Sequence, residues 1–476
     1  MKKDSTGSIF VVLIIILALV GVGGYYGWKE LSKTVLENFA PKIRILNLDQ
    51  VKGLGLAPVE INIELSDQGT GLDEVIVRTE QGRITQELYR KSFQGTKLEK
   101  IRLPFQGPES GLEEGEVTIE VKVFDKSFWS NGDTKRFSLP VDYHRPKLRI
   151  LTTQHNAYHG GSQLIIYQAD DENLVLTGVR SSSQIFAGFP IQYLDPTFRA
   201  SNVFGALYAA DIRQRHETIN VNAFAIDKVG NEKIGSFYNK IRARNYKDVT
   251  LEVGDDLVQT SAIEIASKYQ SSIGEEPTDF SSTDSNAFSY VFNTVRKANS
   301  DFITELLQRD IPKEKQWGQS FVLPKGSPEL RFGERASYIY QEKEVASGIS
   351  YGFSIANIRG TPVEAANNGE VLFADELGAY GRTVILDHGI GIATIYSQLD
   401  EMRVNVGDLV ERGSVIGSVG DSGLALKPSV YYEIRIQGVP VNPLEWWDDV
   451  WVEAHIEDKV KEVKRLTGVT EIQPLQ

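Results

Sequence analysis

An uncharged run from Ile9 to Trp28 follows Lys2 and Lys3, and about 20 apolar residues are what a helix needs to cross the core of a bilayer. The run is longer than the apolar core of a cleaved signal peptide, usually about 7–15 residues, and no A-x-A-like cleavage pattern follows it. The two lysines favour a cytoplasmic tip at residues 1–8, while Tyr25, Tyr26 and Trp28 fall where an aromatic belt meets the far interface. The expectation is an uncleaved transmembrane helix over 9–28, a linker over 29–39, and everything beyond it outside the cytoplasm. Gly23 and Gly27 give a GxxxG spacing compatible with a homodimer of such helices.

The rest of the chain has globular composition. With 64 acidic against 51 basic residues, a net charge of −13, it would be repelled by phosphate backbones. Nucleic acid is therefore excluded as a partner. Cysteine is absent, so disulfides and thiolate chemistry are too, and any metal would need His, Asp or Glu ligands.

Two segments open almost alike, Pro41-Lys42-Ile43-Arg44-Ile45-Leu46 and Pro146-Lys147-Leu148-Arg149-Ile150-Leu151, at a spacing of one small domain. Val59, Ile61, Ile63 and Leu65 alternate with polar residues, as do Val117, Ile119, Val121 and Val123, the period-2 pattern of half-buried strands. The second segment has a matching late strand around Ile219, Val221 and Ala223. Both segments read as immunoglobulin-like β-sandwich modules, over 40–144 and 145–245, a fold that assigns no activity by itself. Between 246 and 313 the pattern becomes helical, with Ala287, Phe288, Val291, Phe292 and Val295 on one apolar stripe and Asp284 or Ser285 placed to cap it. After Trp447, the spacing of Val452, Ile456, Val460 and Val463 predicts an amphipathic helix ending near Gly468, within a C-terminal helix and tail over 451–476.

From Phe321 to Trp447 the sequence resembles the LytM-type M23 metalloendopeptidases, which cut peptidoglycan cross-links. The resemblance rests on Phe332-Gly333-Glu334-Arg335, Thr361-Pro362-Val363-Glu364-Ala365-Ala366, Gly378-Ala379-Tyr380-Gly381, Asp387-His388-Gly389 and Gly438-Val439-Pro440-Val441-Asn442-Pro443. It implies an antiparallel β-sheet domain over 314–450. Where the active family reads H-x-G-x-D, this chain reads Ser350-Tyr351-Gly352-Phe353-Ser354. The Y-x-H-L element is Tyr396-Ser397-Gln398-Leu399, and the H-x-H-F-E element is Ser429-Val430-Tyr431-Tyr432-Glu433. By this resemblance Ser350, Ser354 and Tyr431 stand at lost metal-ligand positions, and Gln398 and Ser429 at lost catalytic histidines. Zinc needs about three imidazole, thiolate or carboxylate ligands and a water. Hydroxyls and an amide supply none of these, so no cofactor is expected and the domain reads as a pseudoenzyme.

The expected architecture is mainly β: a transmembrane helix, two sandwich modules, a helical insert and a degenerate M23 domain. What the domain would retain is a groove lined by Tyr351, Tyr380, Tyr432, Glu433 and Arg435, suited to binding peptidoglycan or amidase-type cell-wall hydrolases, since degenerate relatives activate amidases. The location implied is the bacterial inner membrane, single-pass, with the large region in the periplasm. Two rivals stand beside this reading: an active metalloendopeptidase or hydrolase with an unrecognised site, and a structural envelope component acting through its sandwich modules. Gly420-Asp421-Ser422-Gly423 imitates a serine-protease signature, but it lies in a turn of the resembling region. His155 and His159 read as surface histidines, and His388 as a hairpin residue.

Overall fold

The computed structural model describes residues 6–467 except 36, 38, 277, 279, 281–284 and 310–312, with the side chains of 6–15, 30, 31 and 33–35 outside the description. Strands account for 44% of the chain and helices for 21%, so the fold is mainly β. It divides into two compact units, residues 1–145 with 226–232, and residues 146–225 with 233–476.

The first unit begins with a helix, Thr6–Val35, which covers 9–28 and runs on through most of the expected linker. Its described apolar side chains from Ile16 to Trp28 are exposed. Among the described residues no helix is long and apolar enough to cross a membrane, and the first part of the 9–28 run lies outside them. The body of the unit is two antiparallel sheets. Lys42–Ile45, Val59–Ser66 and Leu98–Phe105 form one; Ile84–Thr96, Leu72–Gln81, Gly115–Asp125 and Gly132–Val141 form the other. The period-2 residues do what their spacing requires. Ile61, Ile63 and Leu65 from one sheet and Val117, Ile119, Val121 and Val123 from the other are fully buried in a shared core.

The second unit repeats the opening. Lys147–Ile150 pairs with Ser162–Asp170 as Lys42–Ile45 pairs with Val59–Ser66, and two four-stranded sheets follow. Of the residues expected in a late strand, Val221 and Ala223 lie in Val221–Asp227, whereas Ile219 follows a short 3-10 turn. His155 is not on the surface: it is 2% exposed, bonded to Thr152 Oγ1 at 2.8 Å and packed edge-on against Phe237. Burial pushes its pKa down to about 4. The alternation that marks a strand does not reveal which loop folds back over a polar residue. His159 is partly buried and bonds the Gln214 carbonyl at 2.8 Å.

Residues 246–313 are not wholly helical. Asp248–Glu252 is a strand, parallel to Arg335–Tyr340, and so it belongs to the sheet that follows. Helices come after it, at Ala262–Ser272 and from Asn286 to Gln308, and all five stripe residues are buried. Ser285 precedes the second helix without a side-chain capping bond, and Asp284 lies outside the described residues. The C-terminal helical segment runs from Asp449 to Thr467, with Val452, Ile456, Val460 and Val463 buried, and its expected end at Gly468 is outside the described residues.

The large sheet of the C-terminal region has Ser429–Ile436 near its centre, flanked by Phe353–Ala356 and Ile392–Met402. Every residue of that central strand is buried. Glu433 and Arg435 form a fully buried ion pair at 2.7 Å. Arg435 also donates to the Ser300 carbonyl and to Thr304 Oγ1 and Ser300 Oγ on the helix Arg296–Gln308, at 3.1–3.2 Å. Burial opposes the Arg435 charge and Glu433 overrides it, so the guanidinium stays protonated. Arg435 is thus the bolt between helix and sheet and does not line the groove expected of it.

Two predictions follow from these buried charges. Removing one member of a buried pair leaves the other uncompensated, at a cost of about 3–5 kcal/mol, so Arg435→Met should lower stability by that amount in chemical denaturation. The second concerns Glu445, which accepts from the Ser162 amide at 2.8 Å, and which burial pushes up to about 7. Between about pH 4.5 and 7 the folded chain keeps a proton that the unfolded chain has released, so this group makes stability fall as pH rises through that window. Burial pushes Lys459 down to about 7. It is neutral when folded and protonated when unfolded up to about pH 10.5, so its contribution rises above pH 7. Glu445→Gln should flatten the fall between pH 4.5 and 7, on the order of 3 kcal/mol, while leaving the rise above pH 7; a variant profile parallel to wild type would contradict this assignment.

Candidate functional site

The positions that diverge from the metalloendopeptidase motifs converge in space. Ser350, Ser354, Gln398, Ser429 and Tyr431 all line one cavity of about 270 Å³. Three strands bring them together: Ser354 lies opposite Tyr431 across one strand pair, and Ser397 lies opposite Tyr431 across the other, with Gln398 next along. Ser350, Ser429 and Tyr431 are buried at 1%, 2% and 8% exposure, whereas Glu329, Leu426 and Lys427 on the rim are exposed.

Four of these five positions, all but Ser354, have their polar group bonded to the protein. Ser350 Oγ donates to the Gly352 carbonyl at 2.9 Å, and Ser429 Oγ donates to Gln398 Oε1 at 2.8 Å. The two positions that would hold catalytic histidines therefore bond to each other. Gln398 has φ +66°, a left-handed backbone that few non-glycine residues adopt, and this sits at an irregularity in strand Ile392–Met402. Tyr431 turns its hydroxyl to the Tyr351 amide, which donates at 3.1 Å, so the ring forms a wall and leaves the cavity open.

Of the residues expected to line a binding groove, only Tyr380 does so. It packs against Tyr431 with ring centres 5.9 Å apart, and its hydroxyl donates to Glu433 Oε1 at 2.9 Å. Tyr432 points to the opposite side of the strand, where it is fully buried against Tyr396 and Trp447. Glu433 and Arg435 lie beneath the cavity in the ion pair that fixes the helix. Tyr351 is partly buried and stacks under the Arg296 guanidinium, 5.4 Å from its ring centre.

The remaining wall comes from residues that the motifs do not mention. Phe288, Phe292 and Arg296 reach the cavity from the helical segment, with Leu251 and Glu252 from the strand before it and Tyr338 from the strand paired with that one. Arg296 donates to the Ile349 carbonyl at 3.1 Å and stacks over Phe292. Among the described residues it has no carboxylate within salt-bridge distance. Its helical spacing from Phe288 and Phe292 was visible in the sequence, but nothing local showed that this stripe faces the strands.

This donor set does not fit zinc. The described lining holds hydroxyls, one amide, the two carboxylates of Glu252 and Glu329 and no histidine, and among the described residues no trio of His, Asp or Glu atoms close enough to share an ion includes a cavity residue. Burial first, and then the neighbouring Glu433, raise the Tyr431 pKa well above 10, so it offers no phenolate at neutral pH. His388 is the only histidine between residues 348 and 443. It is fully buried, with its ring nitrogens bonded to the Asn368 carbonyl at 2.6 Å and Thr394 Oγ1 at 2.7 Å, and burial pushes its pKa down to about 4. Asp387 accepts from the Gly389 amide at 2.9 Å in the same turn. Ser422 is a turn residue too: its hydroxyl donates to the Leu399 carbonyl and accepts from the Arg382 amide.

Comparison with known proteins gives the same placement. Residues 348–443 match the model of Peptidase family M23. The chain is 37% identical over 129 residues to the murein hydrolase activator EnvC of Escherichia coli, covering 27% of this chain and 29% of that protein. It is 38% identical over 113 residues to the DD-carboxypeptidase/endopeptidase Mpg of Neisseria meningitidis, covering 24% and 25%. The chain thus spans less than a third of the length of these relatives. A solved M23 peptidase from Pseudomonas aeruginosa aligns with 61% of this chain and 94% of its own, at 16% identity and a TM-score of 0.35. The five motif positions of the cavity thus lie within residues 348–443, the C-terminal region that matches Peptidase family M23.

Proposed function

We propose that this chain is a non-catalytic cell-envelope protein whose M23 domain binds a wall component, peptidoglycan or a cell-wall hydrolase, without cutting it. The observation that carries the reading is the donor chemistry of the cavity. All five motif positions face one space and none offers a zinc ligand or a group that can take a proton from water near neutral pH. A cavity of this size with aromatic and leucine walls, several hydroxyls and the Arg296 guanidinium, while Lys427 on the rim is paired with Glu329, suits a small ligand end bearing a carboxylate, as peptides of the wall do. A relative named as a murein hydrolase activator supports a regulatory role, and another named as a carboxypeptidase/endopeptidase keeps the enzymatic alternative testable.

The membrane anchor belongs to the same proposal. Lys2 and Lys3 precede the apolar run, and its described residues from Ile16 to Trp28 expose their side chains without a protein partner. That is the surface a lipid-facing helix presents. The location we infer is the bacterial inner membrane, single-pass, with the large region after the helix on the periplasmic side.

The test uses the full-length chain in mild detergent with purified sacculi. It should release no soluble fragments and should sediment with the sacculi or with a wall amidase. Arg296→Met, which keeps the packing volume but removes the charge, should weaken that association about tenfold, corresponding to about 1.4 kcal/mol. Fragment release by the wild type, abolished by substitutions in the cavity, would establish an enzyme instead.

A further inference from the structure

The first unit holds a group of buried acids that nothing in the M23 domain explains. Glu37, Asp67 and Asp125 are 6%, 4% and 1% exposed, and carboxylate oxygens from all three lie within 4.8 Å of one another. They come from distant parts of the sequence: Glu37 from the segment just after the helix Thr6–Val35, Asp67 from the loop after strand Val59–Ser66, and Asp125 from the end of strand Gly115–Asp125. No described lysine, arginine or histidine forms an ion pair with any of them.

Hydrogen bonds satisfy part of the cluster and leave part of it open. The Thr70 amide donates to both Glu37 oxygens, at 2.9 and 2.7 Å, and the Gly71 amide donates to Asp67 Oδ2 at 2.5 Å. Asp125 Oδ1 accepts from the Ser127 amide and hydroxyl, and its Oδ2 accepts from Asn131 Nδ2 at 3.1 Å. The second oxygen of Asp67, Oδ1, is buried with no hydrogen-bond partner, and so is Thr70 Oγ1 beside it. A buried carboxylate oxygen without a donor is costly, and two further carboxylates at this range add like-charge repulsion. Both costs are removed by one divalent cation.

We propose that Glu37, Asp67 and Asp125 form a calcium site that pins the segment following the N-terminal helix to the first two-sheet unit. The ligand set is all oxygen, which suits a hard cation. Calcium takes carboxylates in monodentate or bidentate fashion with flexible geometry, whereas magnesium demands a near-octahedral shell and usually keeps several waters. Carboxylates that can bind one ion in monodentate or bidentate fashion from three separate segments match calcium's flexible shell better than magnesium's near-octahedral one. The consequence is mechanical. Glu37 lies in no strand or helix, and the ion would hold it to the loop of Asp67 and to the strand end at Asp125, stiffening the connection between helix and domain.

The experiment is calcium binding by the full-length chain in detergent after removal of metal with EGTA, read by equilibrium dialysis up to about 2 mM free calcium, the range of weak extracellular sites. The comparison is between wild type, Glu37→Gln and Asp67→Asn. Each variant should bind one calcium fewer per chain than wild type, and calcium should slow proteolysis near residues 36–41 in wild type only. Glu37 is outside the sheets, so its variant keeps the fold and circular dichroism checks this. Equal calcium stoichiometry in wild type and Glu37→Gln, no binding at about 2 mM, or displacement by equimolar magnesium would each overturn the proposal.

Discussion

The buried Glu433–Arg435 pair is the interaction on which the C-terminal region depends. Arg435 spends its donors on Glu433, on Ser300 and Thr304 of the long helix, and on the Tyr380 hydroxyl at 3.3 Å. Glu433 accepts from Tyr380 in turn. One buried charge pair therefore ties three elements together: the central strand, the helix and the turn that carries Tyr380. A second bond, from the Ala379 amide to Asn299 Oδ1 at 2.9 Å, reinforces the same junction. Because Phe288, Phe292 and Arg296 extend the helical segment that this junction holds, the cavity owes its far wall to it.

The five positions that diverge from the metalloendopeptidase motifs share one cavity without adding charge to it. Where imidazole and carboxylate would leave the cavity needing a cation, serines, a glutamine and a tyrosine satisfy one another and nearby backbone groups. The Ser429–Gln398 and Tyr351–Tyr431 bonds are the clearest instances. Gln398 holds a left-handed backbone where the metalloendopeptidase motif has a histidine. Arg296, from outside the matched region, adds a guanidinium to a lining that also holds Lys427, Glu252 and Glu329.

Much of this was legible in the sequence wherever one face of an element is wet. The alternation of Ile61, Ile63 and Leu65, the helical stripe from Ala287 to Val295 and the stripe from Val452 to Val463 each placed the buried face correctly. Legibility failed where both faces are dry. Strand Ser429–Ile436 is buried throughout, so its period carries no sign of which side meets the cavity, and polar residues there look like groove residues. Tyr431 faces the cavity; Tyr432 faces the core; Glu433 and Arg435 are polar because a helix some 130 positions earlier in the chain supplies their partners. Arg296 was missed for the same reason: its role arises from a contact distant in sequence, as does the buried place of His155 beneath Phe237.

The most direct test of the account is the metal content of the M23 domain in the intact chain. Protein purified without chelators from zinc-supplemented cells, and cleared of weakly bound ions, should contain far less than one zinc per chain. Its unfolding midpoint should not rise with added zinc, because a ligand that binds only the folded state must stabilise it. A content near one zinc per chain that disappears on replacing Tyr431 with Phe or Ser350 with Ala would contradict it, and would place a metal centre where the donor chemistry says none can form.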